Sequence, residues 1–149
     1  MKKYALLVFA FITVLTSCSP DDGTDNNYLG TITLPIESVE MPESFVNGET
    51  YEILITYNRP SNCYQFYNFF YDINENERTV AVINTVYSGT DCIEETESVT
   101  VSLNFIVTST ETYLFKFFQG HDENGEEQYY LVEVPVLNER PVSEYAIND

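Results

Sequence analysis

The segment from residue 98 to residue 105 alternates strictly between polar and apolar side chains. Its odd positions, continuing to residue 107, are all apolar: Val99, Val101, Leu103, Phe105 and Val107. Successive side chains of a β-strand project from opposite faces of the sheet. The alternation therefore predicts a strand with one face in the core and the other in water, and it restricts the chain to folds built from such half-buried strands.

Six further segments are rich in β-branched and aromatic residues and are separated by turn sequences such as Asn47-Gly48 and Asn124-Gly125. They are residues 31–40, 50–58, 64–72, 79–87, 112–119 and 128–137. No segment after the first 18 residues has the periodicity of an amphipathic helix. About seven short strands predict an all-β fold, preferably a two-sheet antiparallel sandwich, with an eight-stranded barrel or a jelly roll as alternatives.

Two prolines interrupt the first and last strand segments. Pro35 and Pro135 cannot donate a ladder hydrogen bond, so they mark these strands as edges or as bulged strands. The order of features resembles bacterial immunoglobulin-like domains: a strand broken by proline, a turn before the second strand, and a late hairpin that carries Tyr113. This resemblance covers residues 30–138, and it implies an immunoglobulin-like sandwich with Tyr113 as a tyrosine corner.

The N-terminus has the features of an export signal. Lys2 and Lys3 precede an apolar run over residues 5–15, which is shorter than the roughly 20 residues that a membrane-spanning helix needs. We therefore expect residues 1–17 to be a signal peptide. An uncleaved anchor and a buried N-terminal helix are the alternatives.

At the end of this run, the residues Leu15-Thr16-Ser17-Cys18 resemble the lipobox of bacterial lipoproteins. The resemblance implies that the thiol of Cys18 receives a diacylglyceryl group and that cleavage before Cys18 frees an amino group for a further acyl chain. The mature chain would then be attached to a membrane through its N-terminal acyl chains without spanning it.

A polar stretch follows Cys18 and is expected to be a flexible tether over residues 18–29. Its first residues, Cys18 to Gly23, resemble the acidic export tag of surface lipoproteins in the Bacteroidota, although any flexible linker has a similar composition. We expect an outer-membrane lipoprotein of the cell envelope. Its position on the periplasmic or the outer surface stays open. Residues 139–149 are expected to form a polar tail.

The charge of the mature chain excludes one class of partner. Removal of residues 1–17 leaves four basic residues against 24 acidic ones, which gives a formal charge of −20. Such a chain repels phosphate backbones, so nucleic acid is not expected as a partner. The length from residue 30 to residue 138 fits one domain with its own core.

Two cysteines remain besides Cys18. Cys63 and Cys92 form an even pair in an exported chain, and this predicts a disulfide. The pair could also bind a metal together with His121, but the spacing matches no zinc pattern. The prediction is therefore a disulfide and no metal site.

The sequence contains no recognisable catalytic arrangement. His121 is the only histidine and lies in a predicted hairpin loop, which is a poor setting for a nucleophilic triad. The loop over residues 122–127 offers oxygen ligands for calcium, but it lacks the EF-hand spacing and also fits a solvated turn. We expect no catalytic residues, no metal and no cofactor.

The segment over residues 64–71 carries aromatic side chains at both odd and even positions. Since only one set can enter the core, we expect the even set, Tyr64, Phe66 and Phe70, to lie nearer solvent and to bind a protein or glycan partner. A purely structural role is the alternative. The sequence thus favours a non-catalytic binding or envelope-assembly lipoprotein over an accessory sugar-binding or hydrolytic lipoprotein of an outer-membrane uptake system.

Overall fold

The computed structural model describes residues 27–89 and 91–139, and these residues form an all-β domain. No helix is present in the described ranges. Ten strands follow one another along these described ranges: β1 (Asn27–Leu34), β2 (Ile36–Glu40), β3 (Phe45–Val46), β4 (Thr50–Arg59), β5 (Tyr64–Asn74), β6 (Glu77–Ser88), β7 (Glu97–Ile106), β8 (Tyr113–His121), β9 (Glu127–Val134) and β10 (Val136–Leu137).

The larger sheet has five strands and is built around β6. Strand β5 pairs with one side of β6 in an antiparallel hairpin. The other side of β6 has two partner strands, one after the other. Strand β8 pairs with β6 in parallel up to Val80, which lies opposite Phe117. Strand β1 pairs with β6 in the antiparallel direction from Val82, which lies opposite Leu34. Strand β9 pairs with β8 at the far edge. The residue at which β6 changes partner is Ala81.

The smaller sheets complete the domain. Strands β2, β4 and β7 form an antiparallel three-stranded sheet in that order, and β3 and β10 form a short parallel pair. Pro35 separates β1 from β2, and Pro135 separates β9 from β10. Each proline therefore stands where the chain leaves one sheet for another, since proline cannot continue a hydrogen-bond ladder. The predicted segments 31–40 and 128–137 are each two strands, and β3 was not predicted.

The core combines side chains from the five-stranded and three-stranded sheets. Alternate residues of β4 and of β8 are fully buried, as are the inward residues Val80 and Val82 of β6. In β7, Phe105 is buried, the inward valines and leucine are half-buried, and the residues between them face solvent. The predicted half-buried strand is confirmed. The buried alternate residues are Ile53, Ile55, Tyr57, Tyr113, Phe115 and Phe117.

The hydroxyl of Tyr113 accepts hydrogen bonds from the backbone N–H groups of Thr108 (3.0 Å) and Ser109 (2.8 Å), as a tyrosine corner does. Burial raises the pKa of Tyr113, but the hydrogen bond with the Thr108 side chain, the two backbone hydrogen bonds and the charge of Arg78 outweigh burial, so the pKa lies below its ordinary value. The guanidinium of Arg78 lies 4.9 Å from the centre of the Tyr113 ring and donates to the carbonyl of Glu75 (2.8 Å). This buried arginine was not predicted.

The predicted disulfide is present. Cys63 and Cys92 are bonded, with their Cα atoms 5.4 Å apart. Cys63 directly precedes β5, and its carbonyl accepts a hydrogen bond from the N–H of Tyr87 (3.0 Å) near the end of β6. The bridge therefore closes the open end of the β5–β6 hairpin.

The predicted signal peptide, Cys18 and most of the predicted tether lie outside the described residues. Strand β1 begins at Asn27, so the last three residues of the predicted tether belong to a strand. Within the part of the chain that is described, no helix is long and apolar enough to cross a membrane.

Candidate binding site

A β-bulge divides the aromatic strand β5. Phe66 pairs with Asn84 and Asn68 pairs with Ile83, so two neighbouring residues of β6 face three residues of β5. Tyr67 is the extra residue. Because side chains alternate along a strand, one inserted residue reverses the alternation after it.

The bulge places the predicted binding residues on two different faces. Tyr64 and Phe66 lie on the inner face, where the Phe66 ring contacts the Phe69 ring with centroids 5.0 Å apart. Phe70 lies on the outer face, opposite Ala81. The prediction that Tyr64, Phe66 and Phe70 share one face is therefore wrong, because it assumed uninterrupted alternation.

The inner face of β5 is incompletely covered. Phe66 is 38% exposed and Ile73 is 60% exposed, although both point to the side on which the core lies. Among the described residues, β6 is the only strand that pairs with β5. The described ranges therefore present an edge strand of 11 residues with apolar side chains, one main-chain side of which pairs with no other strand of these ranges.

Strand β7 is the matching edge of the three-stranded sheet. Strand β2, at the opposite edge, contacts β8, and Arg78 of β6 lies 6.0 Å from the Phe105 ring of β7. Since β5 is the next strand beyond β6, β5 and β7 lie on the same side of the domain. We use the name open edge for the sides of β5 and β7 that pair with no described strand, together with the inward side chains of these two strands. These side chains are Phe66, Phe69, Tyr71, Ile73, Val99, Val101 and Leu103.

Acidic side chains lie at both ends of the open edge. Glu75 lies at the turn of the β5–β6 hairpin, and Glu95 and Glu97 lie beside Asn62 at the disulfide end. Arg59 forms an ion pair with Glu97. The strands between these ends carry little charge, since β5 contains only one charged residue, Asp72.

The outer face of the five-stranded sheet carries a separate depression, which we call the outer cleft. Its volume is about 220 Å³, and its floor consists of Thr79, Ala81 and Ile83 of β6. The cleft lies where β6 changes partner, because β8 is paired with β6 only up to Val80 and β1 only from Val82. A small side chain, Ala81, at this junction deepens the cleft.

Aromatic and polar side chains surround this floor. Phe70 of β5 stands on one side, and Phe118 and Tyr129 of the β8–β9 hairpin stand on the other. The phenol of Tyr129 donates a hydrogen bond to the carboxylate of Glu127. This hydrogen bond, together with slight burial and the charge of Glu127, raises the pKa of Tyr129.

Three more polar groups lie at or near the outer cleft. The ring of His121 packs edge-on against Phe118, with centroids 5.4 Å apart, and the hydroxyl of Thr33 belongs to the rim. The ammonium of Lys116 lies 5.3 Å from the centre of the Tyr129 ring and 3.9 Å from a Glu77 carboxylate oxygen. Carboxylate, imidazole and hydroxyl groups thus surround a floor of small and aliphatic side chains with aromatic walls.

The loop considered for calcium uses its first carboxylate internally. Oδ1 of Asp122 accepts hydrogen bonds from the N–H groups of Asn124 (2.8 Å) and Glu126 (2.9 Å), and these bonds lower the pKa of Asp122. Residues 27–89 and 91–139 contain no group of three or more His, Cys, Asp or Glu side chains that could hold a metal. The loop is built as a solvated turn.

Sequence reasoning found Phe70 but not its neighbours in the outer cleft. Phe118 and Tyr129 belong to segments that were predicted as strands, and Glu127 belongs to the loop considered for calcium, yet nothing local to them indicates that they meet the middle of β6. Only the pairing of distant strands brings them together. Alternation did place Thr79, Ala81 and Ile83 on one face of a single strand.

Comparison with protein-family models gives no match, and searches of curated proteins and of solved structures give none either.

Proposed function

We propose that this chain is a lipid-anchored protein of the cell envelope whose domain is a non-catalytic binding module. Cys18 carries the anchor, and the outer membrane is its location. The module binds an extended segment of a partner protein along the open edge. The observation that carries this proposal is the long aromatic edge strand β5, which has a partner strand on one side only within residues 27–89 and 91–139.

We also propose that the domain is an immunoglobulin-like sandwich. The tyrosine corner at Tyr113, the change of sheet at Pro35 and the core shared by the two larger sheets support this arrangement. The parallel pairing of β6 with β8 departs from a purely antiparallel sandwich. The domain would therefore be a variant of that architecture.

The main chain of β5 is suited to strand addition. Asn74 and Glu77 flank the two-residue turn of the hairpin, so they form a hydrogen-bonded pair. Hydrogen-bonded and non-hydrogen-bonded pairs alternate along an antiparallel ladder. Tyr71 and Ile73 belong to non-hydrogen-bonded pairs, and their N–H and C=O groups therefore point away from β6. The groups nearer the start of β5 are already used, because the carbonyl of Tyr64 accepts a hydrogen bond from Arg59 (3.3 Å) and the N–H of Phe69 donates to the side chain of Asn68 (2.8 Å). An added strand would find free main-chain groups on the second half of β5.

The side chains and charges indicate which strand would bind. The apolar residues of the open edge favour a segment with an apolar residue at every second position. The acidic groups at both ends favour a segment flanked by lysine or arginine, and they oppose the approach of a second copy of this highly acidic chain. Natural sheets protect such edges with lysine, proline or a bulge, and the half of β5 after its bulge at Tyr67 contains none of these.

The proposal can be tested with a synthetic peptide of alternating valine and threonine that has two lysines at each end. We expect it to bind the full-length detergent-solubilised protein and to shift the backbone NMR signals of Tyr71 and Ile73. Ile73→Lys should weaken binding at least tenfold. Leu131→Lys is the matched control, because Leu131 is 57% exposed against 60% for Ile73 and lies on the opposite edge strand β9.

Three outcomes would contradict this assignment. The first is the absence of any peptide binding. The second is self-association of the protein that Ile73→Lys abolishes, which would identify a second copy as the occupant. The third is peptide binding that occurs only after deletion of residues 140–149, which would identify the chain's own tail as the occupant.

A further inference from the structure

We propose that the outer cleft is a binding site for a single neutral pyranose ring of a glycan. The site is formed by Phe70, Ala81, His121, Glu127 and Tyr129, and it lies on the face opposite the inner side of the open edge. It does not depend on the function proposed for that edge.

The charges around the outer cleft favour a neutral ligand. Glu127 lies on the rim, and the mature chain has a formal charge of −20 from four basic and 24 acidic residues, so an anion would be repelled. A cation would meet a different obstacle, because the ammonium of Lys116 already lies over the Tyr129 ring. The aromatic face that would attract a cation is therefore occupied by a positive charge.

The arrangement of apolar and polar groups fits a ligand with two kinds of surface. A pyranose ring has C–H groups on its faces and hydroxyls around its edge. Phe70 is 49% exposed and can lie against such a face, while the carboxylate of Glu127 and the imidazole of His121 can bond to hydroxyls at the edge. A purely apolar ligand would displace the water that is hydrogen-bonded to these polar groups and would offer no hydrogen bonds in its place.

The carboxylate of Glu127 is held in place for this role. Tyr129 donates a hydrogen bond to it and stays protonated, since its pKa is raised. A carboxylate offers roughly four lone-pair positions, so accepting one hydrogen bond from Tyr129 leaves others for a diol of the sugar. Tyr129 thus acts as a positioning residue and as a wall of the cleft.

The size of the cleft limits the ligand to one ring. Its volume of about 220 Å³ is below the roughly 300–1,000 Å³ of pockets that enclose drug-sized molecules. The cleft is also open to the outer face of the sheet, so the rest of a longer glycan could extend from it along the surface. A single ring with few contacts should bind weakly, in the millimolar range.

The test uses saturation-transfer NMR on the full-length detergent-solubilised protein with the methyl α-pyranosides of glucose, galactose, mannose and N-acetylglucosamine. We expect at least one of these neutral sugars to receive saturation through its ring C–H protons. Phe70→Ala and Glu127→Gln should each weaken that binding at least tenfold. Tyr130→Ala is the matched control, since Tyr130 is 49% exposed like Phe70 but lies on the inner face of β9, opposite Phe117, and it should leave sugar binding unchanged.

Two further measurements make the result specific. Tyr129→Phe should weaken sugar binding less than Tyr129→Ala, because it keeps the ring and loses only the hydrogen bond that orients Glu127. Methyl glucuronide, which is anionic, should not bind. The proposal is overturned if none of the four neutral sugars receives saturation, if Phe70→Ala binds as well as the unmodified protein, or if an apolar peptide rather than a sugar occupies the cleft.

Discussion

Phe66 and Phe70 lie four residues apart on one strand, yet their side chains project from opposite faces of the five-stranded sheet. An even spacing along a regular strand would place both on the same face. Tyr67 is inserted between them as a bulge, so Phe66 belongs to the inner side and Phe70 to the outer cleft. The bulge thus makes two surfaces out of one aromatic segment.

This difference predicts unequal effects on stability. Phe66→Ala removes a ring that contacts Phe69 on the inner face, and we expect a loss of about 1 to 2 kcal/mol in the free energy of unfolding. Phe70→Ala removes a half-exposed ring and should cost less than about 1 kcal/mol. Urea unfolding followed by tyrosine fluorescence measures both. Equal losses would mean that the two rings share one environment.

The buried hydrogen bond between Tyr57 and Asn84 should contribute to stability at neutral pH. The Tyr57 hydroxyl donates to Oδ1 of Asn84 at 3.1 Å, and Nδ2 of Asn84 has no hydrogen-bond partner among the described residues. Tyr57→Phe would leave the oxygen of Asn84 unpaired as well, at a cost of about 1 to 3 kcal/mol. Thermal unfolding at pH 7 checks this, with Tyr28→Phe as an exposed control.

The same tyrosine predicts a loss of stability in alkali. Burial raises the pKa of Tyr57 in the folded chain, a shift that the hydrogen bond with Asn84 only partly offsets, and burial likewise raises the pKa of Tyr71. Above a pH of about 10 these tyrosines lose their protons in the unfolded chain while they still hold them in the folded chain. The free energy of unfolding is therefore unaffected by these groups at lower pH, and it falls as the pH rises towards their pKa values in the folded chain. Urea unfolding at increasing pH should show this decline, and Tyr57→Phe should reduce its slope.

The Cys63–Cys92 disulfide should stabilise the domain by closing the end of the β5–β6 hairpin. The bridge encloses a loop with a sequence separation of 29 residues. Loop-closure entropy for such a loop corresponds to about 3 to 4 kcal/mol. The double variant Cys63→Ala/Cys92→Ala should unfold at a correspondingly lower urea concentration. If it unfolds like the unmodified protein, the hairpin is held by its strand pairing alone.

Membrane attachment should depend on Cys18. Cys18→Ala should abolish labelling by a fatty-acid analogue in the producing bacterium and release the protein into the soluble fraction. The control is Ser19→Ala, which changes the neighbouring residue and keeps the thiol. Membrane fractionation of Cys18→Ala that matches the unmodified protein would rule out the lipid anchor.

The sequence predicted strands well where the evidence is local. The alternation from Val99 to Phe105 and the turn sequences located β4 to β8 within a few residues, because burial of one strand face leaves a period of two in the sequence. The two cysteines predicted a bridge because their number and compartment restrict the choice. The prolines were recognised as interruptions, but not as the points at which the chain changes sheet.

The features that form the candidate sites depend on the pairing of strands that are far apart in the sequence. The bulge at Tyr67 exists only relative to the register of β6, and the outer cleft exists only because β8 and β1 share one side of that strand. No short stretch of sequence around Phe70 shows with which strands β6 pairs. Arg78 was missed for a related reason, since its burial depends on aromatic rings contributed by β7 and β8.

The start of β1 limits how far the disulfide end of the domain can stand from the proposed anchor. Asn27 pairs with Ser88, next to the disulfide end of the domain. Nine peptide steps separate Asn27 from Cys18, so at roughly 3.3 Å per residue a lipid on Cys18 would hold this end within about 30 Å of the membrane. The turn of the β5–β6 hairpin lies at the other end of strand β6, about 40 Å away at 3.4 Å per residue over its 12 residues. With the proposed anchor in place, the open edge would therefore have one end tied to the lipid surface and the other end free to reach a partner further from it.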